Sequence, residues 1–186
     1  MILIINICKN ELHTYEFVKP IEDILIREEK FFVTKHYSAL TKKDISDAHR
    51  IIIAGTSLQD FDYEKDFRNH PEKFSFIDKS KKPILAICGG MQLLCMVHGC
   101  KLINGQEIGL VEAKFPQEFL GLKGKKEIYC LHNMTVKDDA ALKKEFVIYG
   151  TTKYVQAVKH KKFPHYGLLF HPEVRNKDMI VKFLSV

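Results

Sequence analysis

Apolar runs and amphipathic stretches alternate along the first half of the chain. Residues 2–8 form a nearly unbroken apolar run, the pattern of a strand buried on both faces. Residues 31–34, 51–54 and 83–87 repeat it, the third run ending at Gly55. Between the first two, Ile21, Ile24 and Leu25 share one helical face, and Pro20 suits the first turn of that helix. Pro71 predicts the opening of another helix through Phe74 and Ile77. Strands alternating with helices predict an α/β fold with a largely parallel central sheet flanked by helices. Past Gly99 the rhythm changes. Segments around Leu102, 110–111, 128–130, 146–148 and 155–158 read as short strands, some antiparallel, so a small antiparallel addition is expected. A last strand at 166–170 and a final helix at about 176–184 complete the pattern. No repeat, low-complexity tract or linker rich in Pro, Gly or Ser interrupts it, which predicts one domain over residues 1–186.

Composition narrows the class. With 46% hydrophobic and 28% charged residues, the chain has the make-up of a folded globular protein rather than a disordered one. No apolar run approaches the ~20 residues a spanning helix needs. The first run has no basic segment before it and Lys9 follows directly, so it reads as a strand rather than a leader, and a cytoplasmic location is expected. The formal charge of +6 admits nucleic acid as a partner. The lysines are nevertheless scattered, apart from Lys79-Ser80-Lys81-Lys82 and Lys159-His160-Lys161-Lys162, and neither cluster is interleaved with aromatics. Solvated surface, or a docking face for an acidic partner, is the expectation, with no nucleic acid and no membrane. Five cysteines without a C-x-x-C pair argue against a disulfide framework or zinc ribbon, and neither metal nor cofactor is expected.

Two segments carry chemistry. In Ile84-Leu85-Ala86-Ile87-Cys88-Gly89-Gly90-Met91-Gln92 a buried strand runs straight into a cysteine, two glycines and an apolar-periodic helix. That is the arrangement of a nucleophile elbow, which needs small residues two positions before and after the nucleophile; Ala86 and Gly90 meet the need. Cys88 at a helix N-terminus favours thiolate over thiol, and the Gly89 N–H is placed to face a developing oxyanion. On this segment alone, a buried structural cysteine beside a glycine-rich turn is the alternative. A thiol nucleophile wants a histidine oriented by a third group. Nine histidines are present, but His171 ends a predicted strand in His171-Pro172-Glu173. Residues two apart on an extended segment point the same way, and the residue before proline is biased to extended geometry, so Glu173 is expected to reach the His171 ring. A surface His-Pro-Glu turn is the alternative. Parallel strands bring both segments to one sheet edge.

Together, Ala86-Ile87-Cys88-Gly89-Gly90-Met91-Gln92 and Phe170-His171-Pro172-Glu173 resemble the class I glutamine amidotransferase family, whose elbow reads roughly G-x-C-x-G-x-Q and whose triad closes with F-H-P-E. The resemblance implies a flavodoxin-like fold and a triad of Cys88, His171 and Glu173 that hydrolyses L-glutamine through a thioester. It implies that Gln92 contacts glutamine, and that a second oxyanion N–H comes from the loop Ala54-Gly55-Thr56-Ser57, from either Gly55 or Thr56. It also places Leu131-His132-Asn133-Met134 as a loop whose backbone binds glutamine, with a neutral loop histidine as the other reading of His132.

Within the family, Val155-Gln156-Ala157-Val158-Lys159-His160 and the chain length are most similar to the stand-alone glutaminase subunit of archaeal GMP synthase. Three positions depart from that pattern. Asn6-Ile7-Cys8-Lys9-Asn10 replaces a glycine-rich N-terminal segment, Asn133-Met134 follows His132 where an Asp is expected, and Leu169 stands where a Gln precedes F-H-P-E. His132-Asn133-Met134 is nearer the His-Ser-Leu of anthranilate and aminodeoxychorismate synthase subunits. The chain has no P-loop and no pyrophosphatase motif, so an ATP-dependent synthetase partner is expected to take up the ammonia. A γ-glutamyl peptidase or hydrolase acting alone, or a non-catalytic regulatory module, are the competing readings.

Overall fold

The computed structural model describes residues 1–186, the side chain of Lys79 excepted. The first half of the chain runs β1 (Ile2–Asn6), α1 (Glu11–Phe17), α2 (Lys19–Arg27), β2 (Phe32–His36), α3 (Lys42–Asp47), β3 (Arg50–Ile53), α4 (Asp62–Asn69), α5 (Ser75–Lys79), β4 (Ile84–Ile87) and α6 (Gly89–Val97). The second half runs β5 (Leu102–Phe119), β6 (Leu122–Val136), α7 (Ala140–Glu145), β7 (Phe146–Thr151), β8 (Val155–His160), β9 (His165–Leu168) and α8 (Asp178–Phe183). All nine strands join one sheet in the order β2-β1-β3-β4-β9-β8-β7-β5-β6. The first five of that order are parallel, in the flavodoxin-like 2-1-3-4-5 arrangement, and the other four extend the sheet antiparallel. The expected α/β architecture is therefore present. No helix among the described residues is long and apolar enough to cross a membrane.

The unbroken apolar runs of β1, β3 and β4 are explained by burial on both faces, while the run at 31–34 falls in the edge strand β2 and is only half-buried, with Phe31 exposed. Ile2 and Ile4 of β1 pack with Ile52, Leu85, Phe17, Ile21, Leu25 and Ile180 on one side. Leu3 and Ile5 face Ile51, Ile53, Ile84, Ile77, Met91 and Leu94 on the other. Each fully buried Leu or Ile contributes roughly 1.5–3 kcal/mol of transfer free energy, so these central strands anchor the fold. Pro20 lies in the first turn of α2, as the sequence predicts. The predicted helix after Pro71 begins as a 3₁₀ turn over Pro71–Phe74 and becomes α-helical only in α5.

The antiparallel part is longer than its apolar segments indicate. Leu102 and residues 110–111 belong to one 18-residue strand, β5, which pairs along its length with the 15-residue β6. Register shifts between Asn104 and Glu107 and between Phe115 and Phe119 break the two-residue alternation. The hairpin turns at Leu120-Gly121, both at positive φ (47° and 89°). That matches the hand of a two-residue hairpin turn without the usual Asn-Gly or Asp-Gly signal. The two basic clusters are partly engaged. Lys82 Nζ donates to the Ile45 and Ser46 carbonyls at 2.6 and 2.7 Å, and Lys159 lies over the Tyr166 ring. The Lys79 side chain lies outside the described residues.

At the N-terminal edge of the parallel strands, His98, His160 and His165 pack with ring centroids 4.4, 5.8 and 5.9 Å apart. Burial lowers the pKa of all three, that of His165 from 6.5 to about 4, despite Asp78 and Glu145 near His98 and His160; Lys162 adds to the effect at His160. His98 Nε2, His160 Nε2 and His165 Nδ1 have no hydrogen-bond partner among the described residues. The folded chain keeps these rings neutral while the unfolded chain protonates near pH 6.5. Their stabilising effect is thus complete above that pH and is lost as pH falls toward 4. Urea unfolding at pH 7 and 4.5 is expected to show a loss on the order of 2–3 kcal/mol from His165 alone. In His165→Phe that acid limb should flatten; an unchanged slope would refute the assignment.

Candidate active site

The strand-to-helix turn at Cys88 has the geometry its sequence requires. Cys88 is the N-cap of α6 with φ 48° and ψ −109°, a positive-φ conformation that costs a non-glycine residue roughly 1–3 kcal/mol. Its N–H donates to the Leu168 carbonyl at 2.6 Å, and its carbonyl accepts from the Gln92 N–H at 3.0 Å, so strand β9 and helix α6 clamp the turn from both sides. A Cβ at position 90 would stand 2.5 Å from the Ile53 carbonyl oxygen, and only glycine lets the helix approach β3 so closely.

His171 and Glu173 sit just past the end of β9, both 1% exposed. His171 Nδ1 and Glu173 Oε1 are 2.7 Å apart. The carboxylate reaches the ring by a route the sequence did not predict. Instead of an extended segment, residues 171–174 form a turn closed by the Val174 N–H donating to the His171 carbonyl at 3.2 Å, with Pro172 fixing its first central position. The His171 N–H is held by the Tyr129 carbonyl at 2.8 Å, and Phe17 packs on the ring at 5.4 Å. Burial opposes charge on this imidazole, but the Glu173 carboxylate and then Cys88 outweigh it and hold the His171 pKa well above its ordinary value. A Cβ on Gly55 would lie 2.8 Å from His171 Cε1 and 3.3 Å from Cys88 Cβ. One point thus borders sulfur-bearing residue, imidazole and loop, and the two distant motifs do meet at one sheet edge.

Of the remaining sequence candidates, Thr56, Gly89, Gln92 and Asn133 border this meeting point. A small cavity of about 10 Å³ is lined by Thr56, Leu58, Asp60, Tyr63, Cys88, Gly89, Gln92, Leu131 and Asn133, among others. Its volume is at the lower limit for a single water, far too small for an amino acid. The Cys88 thiol donates to the Leu131 carbonyl at 3.5 Å, and Asn133 Nδ2 donates to the Leu58 carbonyl at 3.2 Å, joining β6 to the loop after β3. Gln92 is buried; its Oε1 accepts from Tyr63 Oη at 2.6 Å and its Nε2 donates to the Met134 carbonyl at 3.0 Å. The predicted loop over 131–134 is instead an interior part of strand β6. Alternation along that strand sends Leu131 and Asn133 to the cavity and His132 away from it. His132 shares a hydrogen bond with the Gly105 carbonyl at 2.8 Å, and burial keeps its pKa low, which favours the neutral-histidine reading. Tyr63 escaped sequence reasoning, because a tyrosine on an apolar helix face reads as core.

Behind β6, Glu107, Cys130 and His132 bring one donor atom each to within 4.8 Å of one another. These donors are engaged with each other's neighbours: Glu107 Oε2 accepts from Gln156 Nε2 and Thr152 Oγ1, both at 2.7 Å, and Cys130 Sγ donates to Gln156 Oε1 at 3.7 Å. The group reads as a satisfied hydrogen-bond network supporting β6.

Residues 24–185 match the family model described as glutamine amidotransferase class-I. A subunit of the glutamine-hydrolyzing GMP synthase of Pyrococcus furiosus is 32% identical over 133 residues, which cover 69% of this chain and 67% of that protein. The corresponding subunit from Pyrococcus abyssi is 34% identical over 108 residues, covering 54% and 56%. The match therefore spans between about half and two thirds of the length of these relatives. A solved Thermoplasma acidophilum protein, provisionally named as a GMP synthase subunit, superposes with a TM-score of 0.83 at 18% identity, over 99% of this chain and 92% of that one. A glutamine amidotransferase from Thermotoga maritima gives 0.71 at 18% identity, over 99% and 81%. At such identities the structural likeness speaks for the fold, and the sequence matches speak for descent. By the family match and the sequence relatives, the chain belongs to the class I glutamine amidotransferase family.

Proposed function

We propose that this chain hydrolyses L-glutamine to glutamate and ammonia, and that it serves as the glutaminase subunit of a GMP synthase-type enzyme. The observation that carries the reading is the convergence of Cys88, in its strained turn at the start of α6, with a buried His171 paired to Glu173 at 2.7 Å. As the Cys88 sulfur attacks the side-chain amide carbon of glutamine, its proton passes to His171. The carbonyl oxygen becomes an oxyanion facing the Gly89 N–H and a second N–H from Gly55 or Thr56. Collapse of that intermediate breaks the C–N bond, His171 protonates the departing nitrogen, and ammonia leaves a glutamyl thioester on Cys88. His171 then takes a proton from water, whose oxygen displaces the sulfur and frees glutamate. Glu173 orients the ring and stabilises its charged form throughout. Gln92 and the segment His132-Asn133-Met134 are the proposed substrate contacts, through the side chains of Gln92 and Asn133 and the backbone of the strand.

Free ammonia is mostly protonated at neutral pH and poorly nucleophilic in that form, so its delivery to a nucleotide-activating partner follows naturally. The likeness to the archaeal GMP synthase subunits supports a synthetase as that partner. The test is ammonia release from glutamine with and without the synthetase that co-purifies with the chain. Activity is expected to rise with the synthetase. Rapid cleavage of γ-glutamyl peptides by the lone chain would favour the γ-glutamyl hydrolase reading. Failure of diazo-oxo-norleucine to label Cys88 would favour a non-catalytic module.

A further inference from the structure

Resting on that glutaminase reading, we infer that Asp60 is a positioning residue, which fixes the peptide unit between Gly55 and Thr56 so that the Thr56 N–H serves as the second oxyanion donor. Asp60 ends the loop between β3 and α4 and is only 2% exposed. Three groups from separate stretches of chain meet at its Oδ2: Thr56 Oγ1 at 2.6 Å, His13 Nδ1 of α1 at 2.7 Å and the Lys9 N–H at 3.0 Å. The Asp60 N–H closes a turn onto the Ser57 carbonyl at 3.1 Å. A buried carboxylate is costly unless its lone pairs are used, so these contacts hold one another in place. Burial works against ionisation of Asp60, yet the Thr56 and His13 hydrogen bonds keep its pKa below the usual carboxylate value.

The orientation of the peptide unit follows from a fourth contact. Cys8 Sγ donates to the Gly55 carbonyl at 3.7 Å, and burial raises the Cys8 pKa to about 11, so the proton stays on sulfur to be donated. In a trans peptide the carbonyl and the next N–H point in opposite directions. With the Gly55 carbonyl turned to Cys8, the Thr56 N–H points away from Cys8. Thr56, unlike Gly55 and Cys8, lines the cavity together with Cys88 and Gly89. The Thr56 hydroxyl bond to Asp60 then prevents the unit from rotating, because a flip would turn a carbonyl toward the oxyanion. An oxyanion donor acts through prior orientation, and a residue that supplies this orientation affects the chemical step more than ground-state binding.

Asp60→Asn puts an amide where three donors converge and should free the loop. Thr56→Val removes the hydroxyl with little change of shape and tests the same link where Asp60→Asn fails to fold. With glutamine as substrate, in the presence of the synthetase, kcat is expected to fall roughly 10²- to 10³-fold in either variant, with KM changed much less. Alkylation of Cys88 by iodoacetamide, a displacement that generates no oxyanion, should proceed at the wild-type rate or faster, since a freed loop only widens access to the sulfur. An unchanged kcat in a folded variant overturns the inference. So does an alkylation rate that falls in step with kcat, since that would mean the nucleophile itself had been displaced. Absence of glutamine hydrolysis in the wild-type protein would remove the glutaminase reading instead, and is seen before any variant is made.

Discussion

Cys88→Ala is expected to lower glutamine hydrolysis by on the order of 10⁴-fold or more, because the proposed acyl intermediate forms on its sulfur. The fold should survive. The Cys88 sulfur makes one long hydrogen bond, to the Leu131 carbonyl at 3.5 Å, and the backbone bonds that clamp the turn do not involve the side chain. Alanine at φ 48° keeps the same backbone strain, so stability should change by less than about 1 kcal/mol. Ammonia release and trapping of a glutamyl-enzyme adduct report the two halves of the claim. Measurable turnover in the alanine variant would transfer the nucleophile's role to another residue.

The second large effect is expected at Glu173. Glu173→Gln preserves shape and can still present an oxygen to His171 Nδ1, but it removes the negative charge that most strongly favours the imidazolium. The rate should fall by roughly 10- to 10⁴-fold, the span of third-member losses in related triads. The His171 pKa should fall with it, since burial then acts with less opposition. In the wild type, stability tied to the charged ring is present at lower pH and is lost as pH rises through the elevated value; in Glu173→Gln that alkaline loss should shrink. Kinetics and unfolding as a function of pH measure both. An unchanged rate would reduce Glu173 to packing, and an unchanged alkaline limb would show that its charge is not what holds the proton on His171.

The sequence is legible where one local rule governs the outcome. The apolar runs that become β1, β3 and β4 are parallel strands with both faces covered, which leaves no room for alternation, whereas the run at 31–34 becomes the half-buried edge strand β2. Cys88 and His171 are legible because a nucleophile elbow and a strand-terminal His-Pro-Glu each constrain several neighbours at once. The β5–β6 hairpin is poorly legible, since its register shifts disrupt the period and Leu120 takes a positive φ usually left to Asn or Gly. Leu120 packs against the apolar core, a tertiary contact with no local signature. The approach of Glu173 through a turn is hidden because proline biases its predecessor toward extended geometry and also favours the second position of a turn. Tyr63 and Asp60 are out of reach for a different reason. Their partners Gln92 and His13 lie 29 and 47 positions away, and no pattern in the chain links them.

The narrowness of the cavity also shields the Cys88 sulfur. Cys88 is 4% exposed, beneath Leu131 and the bonded pair Asn133 and Leu58. Oxidation of a thiol to the sulfenic and sulfinic states depends on access as well as on ionisation. The Cys88 sulfur is thus sheltered from peroxide by the same strand and loop that would have to part to admit the proposed glutamine substrate. Vulnerability to oxidative damage should therefore be concentrated in the moments of substrate entry, and idle protein should age slowly.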